Sequence, residues 1–205
     1  MEKLTTRVSS LRAVSILVTI SAWTASASSV YDTAVPEERV SITGAILSSL
    51  GYVFYLVMVT VGLFITWRWL RLAYVTAERL EPVGIGYRKG WTFWGWIVPI
   101  VSLWFPKRII EACYGIFQKY LKRQEDLEFG FWWATFIGSG ITGWLSFRFY
   151  SIGEETTSTV LDVISSALFT LSLPGWLKVV GRISEAHDEC LSQEVSNQNP
   201  NTSRA

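Results

Sequence analysis

Asp162 is the one ionisable residue in an otherwise uncharged run of 22 residues, Thr156–Leu177. A carboxylate in such a run can relay a proton or a cation, or it can lock two helices by bonding to hydroxyls. Seven residues into the run, it would lie about 10 Å below one end of a helix. Ser139 and Thr142 on the preceding apolar segment are the expected partners. The polar lock is the plainer reading.

A second group of reactive side chains is His187, Asp188, Glu189 and Cys190. The chain has one histidine and two cysteines, too few for a conventional structural zinc site or a disulfide framework. The cluster therefore reads as a solvated helix face. Cys113 falls on an apolar stripe and reads as a small hydrophobe. No phosphate loop, dinucleotide fingerprint, nucleophile elbow or zincin motif is present, so neither a catalytic residue nor a cofactor is expected. Eighteen basic against 17 acidic residues leave a net charge of +1, which gives no ground for a nucleic-acid partner.

The densest aromatic chemistry lies in Trp91–Pro106, where Trp91, Trp94, Trp96 and Trp104 alternate with Pro99 and Pro106. Two prolines prevent one continuous helix and free backbone carbonyls, which a membrane tolerates only when they are buried or face water. The segment reads as a re-entrant element lining a cavity or docking surface, or as an aromatic wedge seated at the membrane interface. Tryptophan's preference for interfaces favours the wedge.

These residues must be held by helices long enough to cross a bilayer, about 20 apolar residues each. Between Arg39 and Arg68 stand 28 residues without a charge. Nineteen more lie between Arg12 and Asp32, and another 19 make up Phe129–Phe147. With Thr156–Leu177 they predict an all-α polytopic membrane protein with four transmembrane helices, at about 12–30, 42–67, 129–147 and 156–177. The first segment also resembles a secretory signal peptide ending in Ala25-Ser26-Ala27; a retained helix is favoured because apolar residues continue to Val30.

Residues 91–105 would reach only about 22 Å as a helix, too short to cross. Charge gives an independent test. If this segment turns back, 16 of the 18 basic residues fall on one side and only Arg39 and Arg148 on the other. Basic residues favour the cytoplasmic side, so both termini are expected in the cytoplasm of a bacterial inner membrane. Trp67, Trp69, Trp132, Trp133 and Trp176 then fall at inner ends, and Trp23 and Trp144 near outer ends, as headgroup anchors.

After Pro106, Ile109, Ile110, Cys113, Ile116, Phe117, Tyr120 and Leu121 recur at helical spacing among Lys107, Arg108, Lys119, Lys122 and Arg123. This predicts an amphipathic helix over 106–124, lying on anionic inner-leaflet lipids or packed on the protein's own helix ends. Ser139 with Gly143, and Gly44 with Ser48, have the small-xxx-small spacing of close helix contacts, within one chain or in a homo-oligomer. Residues 1–192 read as one membrane domain and 193–205 as a disordered tail.

The pattern Trp91, Trp96, Pro99, Leu103, Trp104, Pro106, the basic amphipathic helix, and then Trp132-Trp133 resembles the bacterial membrane family known as domain of unknown function 4328. The likeness covers about residues 60–180. It implies an integral membrane protein of several helices and no particular activity. Ser102 stands where that family usually has Asn, and a hydroxyl offers fewer hydrogen bonds than an amide. The expected role is non-enzymatic, a scaffold or regulatory protein whose cytoplasmic face docks a protein partner. The alternative is a small transporter or channel component built on Asp162 and the broken segment.

Overall fold

The computed structural model describes residues 3–35, 42–98 and 100–198. Among these the regular elements are helical: α1 (Thr5–Ala34), α2 (Ile42–Leu80), α3 (Trp91–Ile97), α4 (Phe105–Leu121), α5 (Gly130–Ser151) and α6 (Glu155–Gln198), with a 3-10 turn at Val101–Leu103. Three helices, α1, α2 and α6, are long and apolar enough to cross a membrane. This is a membrane protein by that measure. Helix α5 has 22 residues, about 33 Å, but its tryptophans, glycines and serines dilute its hydropathy.

Each long helix outruns its predicted span, because polar residues beyond the apolar run still have helical propensity and a surface to pack on. Residues 193–198, expected in the tail, continue α6; residues 199–205 lie outside the described residues. The chain divides into two compact units. One comprises Arg12–Phe64 and Gly130–Trp176, here the α5 unit; the other comprises Met1–Leu11, Ile65–Phe129 and Leu177–Ala205, here the α4 unit.

In the α5 unit, α6 carries two hydroxyl seams at heptad spacing. Ser166 Oγ lies 2.8 Å from Ser26 Oγ and Thr159 Oγ1 lies 2.6 Å from Thr33 Oγ1, both on α1. The neighbouring positions face α5: Ser165 Oγ donates to the Ser139 carbonyl at 2.9 Å, and Ser146 Oγ to the Ser158 carbonyl at 3.0 Å. Partner numbers fall as α6 numbers rise, so both pairings are antiparallel. Gly175 allows a close approach, since a Cβ there would stand 2.5 Å from Trp132 Cβ. Helix α2 meets α1 through Gly51, where a Cβ would lie 2.7 Å from Ser28 Oγ, and through Ser48, which donates to Asp32 at 2.6 Å. The small-residue spacings are thus used in packing within this chain. Only 6 % of the most apolar stretch of α2 is buried, so most of its surface faces outward.

The α4 unit has a core of the kind found in soluble proteins. Pro106 sits in the first turn of α4, where its missing N–H costs nothing. Lys122 ends the helix in the left-handed region, at φ 54°, and its N–H bonds the last carbonyls. Ile109, Ile110, Cys113 and Phe117 are fully buried with Leu4 of the N-terminus, Ala73 and Ala77 of α2, and Val179 and Val180 of α6. Each such aliphatic or aromatic side chain contributes about 1.5–3 kcal/mol through burial. The apolar stripe of α4 is therefore covered by the protein's own helices.

Burial also corrects the reading of three tryptophans as headgroup anchors. Trp69 is buried in the α4 unit, with its Nε1–H donating to Ser184 at 3.0 Å; Trp132 and Trp133 are buried in the α5 unit. Their area was better spent between helices than at a lipid surface. Trp23 and Trp144 remain exposed.

Candidate functional site

The aromatic segment is assembled by local turns. Thr92 Oγ1 donates to the Lys89 carbonyl at 2.8 Å and opens α3. Val98 N–H and Ser102 N–H then close successive turns on the carbonyls of Trp94 and Val98. Arg108 N–H bonds the Trp104 carbonyl and starts α4. Upstream, the Tyr74 hydroxyl of α2 donates to the Tyr87 carbonyl and holds the entering loop.

This geometry divides the predicted motif into an inside and an outside. Trp91 is half-buried against Phe105, ring centroids 4.9 Å apart, and Tyr87 meets the same ring edge-on. Gly95 faces Phe105 and Pro106, so α3 crosses the start of α4 at close range. Thr92, Gly95 and Pro106 are buried, and Trp96 and Ser102 are half-buried. Leu103 and Trp104 point outward together with Phe93, Trp94, Ile97 and Ile100. Pro99 lies outside the described residues. The other two motif tryptophans, Trp132 and Trp133, are in the α5 unit, in edge contact with each other, and Trp132 also tilts against Trp176.

The tail cluster is not a solvated face. His187 is 2 % exposed. Its Nδ1 lies 2.8 Å from Asp188 Oδ1 and its Nε2 lies 2.9 Å from Thr76 Oγ1 of α2. An ionised carboxylate only accepts, so Nδ1 carries the proton and Nε2 accepts from the threonine hydroxyl. The ring also stands edge-on to Phe117 of α4. Asp188 accepts from the N–H groups of Leu4 (2.7 Å) and Thr5 (3.0 Å) and from the Thr5 hydroxyl. Helix α1 has no acidic residue in its own first turn, and Asp188 of α6 supplies the missing cap.

Burial pushes the His187 pKa below its ordinary value, and its bond to Asp188 only partly opposes this. Burial would raise Asp188, but hydrogen bonds from Thr5, His187 and Leu4 overcome it and hold the carboxyl below the usual range. Local sequence gave no sign of the His187–Thr76 link, which spans 111 positions. Cys113 and Cys190 are buried, and burial pushes both thiols up to about 12.

Asp162 is half-buried in the α5 unit, and its backbone carbonyl accepts from Ser26 Oγ at 3.1 Å. The partners expected for its carboxylate are occupied elsewhere. Ser139 pairs with Ser165, and Thr142 donates back to the Gly138 carbonyl of its own helix. The rotation of α5 decides this, turning its small face toward the serine seam of α6.

A family model, "Domain of unknown function (DUF4328)", matches residues 31–185, about three quarters of the chain. The chain belongs to that family. No curated protein and no solved structure matches it. The stretch matched by the DUF4328 model begins near the end of α1 and closes within α6, so it includes the whole aromatic segment, α4 and α5. His187 and Asp188 lie beyond it. Asp188 and the Leu4 and Thr5 groups it caps thus lie outside the DUF4328 match.

Proposed function

We propose that this protein is a non-enzymatic scaffold of the bacterial inner membrane, with four spans, both termini in the cytoplasm, and a cytoplasmic α4 unit that docks a membrane-associated protein partner. The observation that carries this reading is the core of the α4 unit. Its apolar side chains are closed against one another, as in an extramembrane domain that works through its surface. Its acid–base pair, His187 and Asp188, is consumed in holding α1, α2 and α6 together.

The fourth span of this reading is α5. It carries no charge before Arg148, and its serines pair along the apolar stretch of α6 in the antiparallel sense. With α5 crossing and the aromatic segment turning back as a hairpin, 16 basic residues fall on the cytoplasmic side and two lie opposite, in agreement with the positive-inside rule.

A transporter built on Asp162 is the second reading, favoured by the half-buried place of that carboxylate in the otherwise uncharged run of α6. Two measurements separate the two. A photoreactive residue at exposed Lys122 should give a discrete protein adduct in cells. Proton and monovalent-cation flux in proteoliposomes should be the same for the wild type and Asp162→Asn. An Asp162-dependent flux with no adduct would replace the scaffold by the transporter.

A further inference from the structure

Two surfaces of the α4 unit treat their cations differently. On one, Arg79, Lys119, Arg123 and Arg182 are each paired with a glutamate of the chain. Around the aromatic hairpin the lysines are paired likewise, Lys89 with Glu78 and Lys107 with Glu111, but the arginines are not. From Pro82 to Ile110 there is no acidic residue and there are four basic ones. Arg68, Arg88 and Arg108 are exposed, and among the described residues none of them forms an ion pair.

Between these arginines lies the exposed apolar face of the hairpin: Phe93, Trp94, Ile97, Ile100, Leu103 and Trp104. A patch of this kind on a protein surface marks a binding site. Its depth is indicated by Trp67, the last residue of the uncharged run and the one that precedes Arg68. Phe93 stands edge-on to Trp67, centroids 5.4 Å apart, and the Arg71 guanidinium lies over the same indole at 5.6 Å. An indole between an apolar run and two arginines sits at headgroup level. Phe93 ties the hairpin to that level.

We propose that the exposed face of the hairpin is seated in the headgroup layer of the cytoplasmic leaflet, where Arg68, Arg88 and Arg108 bind the phosphates of anionic lipids. The aromatic side chains suit the interfacial layer, and the unpaired guanidiniums offer bidentate donors to phosphate. The proposal rests on the scaffold reading only in assigning the α4 unit to the cytoplasm. The partner of this one face is lipid, and a protein partner would take the ion-paired surface.

The test uses the full chain in vesicles of phosphatidylethanolamine and phosphatidylglycerol, or of phosphatidylcholine alone. A fluorescent label is placed at Ile97→Cys or Ile100→Cys, with Val83→Cys, at a position 90 % exposed, as the aqueous control. Headgroup-level nitroxide lipids should quench the hairpin labels and leave the control. Lipid retained through purification should favour phosphatidylglycerol, and Arg68→Gln, Arg88→Gln, Arg108→Gln together should lower that retention by about tenfold or more. Hairpin labels as water-exposed as the control would overturn the seating and free this face for a protein. Equal retention of phosphatidylglycerol and phosphatidylcholine would overturn the recognition of anionic headgroups. Neither result depends on whether Asp162 carries a flux, so this proposal and the scaffold reading can fail separately.

Discussion

His187 of α6 and Thr76 of α2 are joined side chain to side chain at 2.9 Å, although 111 positions separate them. Through Asp188 the same imidazole reaches the first N–H groups of α1. Replacing His187 by Ala removes a buried ring and leaves a hydroxyl and a carboxylate short of partners, at a cost of about 2–4 kcal/mol. Thr76→Val should cost about 1 kcal/mol. Unfolding in detergent, followed by tryptophan fluorescence, measures both; equal small effects would mean that the node is not a structural lock.

Acid should weaken the α4 unit. With its folded pKa below the ordinary 6.5, His187 takes up protons more readily in the unfolded chain. Stability is then full above about pH 6.5 and declines as the pH falls toward the depressed value. Asp188, also lowered in the fold, adds a further loss below its ordinary 3.8. His187→Gln should abolish the first decline and keep the second. An unchanged slope between pH 7.5 and 5 in that variant would assign the effect to another group.

Gly175 faces Trp132 with no room for a Cβ. Gly175→Ala should therefore push α5 from α6 and destabilise the α5 unit by about 1–3 kcal/mol. Gly140, which has open space around it, is the matched control, and Gly140→Ala should be neutral or slightly stabilising. Thermal aggregation of the two variants in the same detergent makes the comparison.

The serine seams should be individually weak. Ser158→Ala and Ser165→Ala are each expected to cost about 0.6 kcal/mol, the average for hydrogen bonds between membrane helices. Ser146 and Ser158 touch, whereas Ser146 and Ser165 do not share a bond. A double-mutant cycle should show coupling for the first pair and additivity for the second.

Both thiols are pushed up to about 12, and both lie inside the α4 unit. Maleimide at pH 7.4 should leave the folded protein unlabelled and modify Cys113 and Cys190 once it is denatured. Rapid labelling of either in the folded state would contradict the closed core that the scaffold reading rests on.

Periodicity and charge were legible along the chain. The uncharged runs marked the three helices that can cross a membrane, the stripe from Ile109 to Phe117 marked α4, and the aromatic and proline spacing marked the family. Each is a local signal, because helical geometry fixes which residues share a face at intervals of three and four. The serine seams on α6 were also present, at Ser158–Ser165 and Thr159–Ser166, as a heptad that composition alone passes over. What the sequence left open was which surface each face would meet. The stripe of α4 suited lipid and protein alike, and packing against α2 and α6 chose protein. Trp69, Trp132 and Trp133 suited the headgroup layer by type, and helix contacts buried them. His187 looked solvated because its neighbours in sequence are polar; its neighbours in space are Thr76 and Phe117, brought to it by helices more than a hundred and about seventy positions away. Local sequence sets the elements and their faces, and only the long-range packing of those elements decides which polar groups are withdrawn from water.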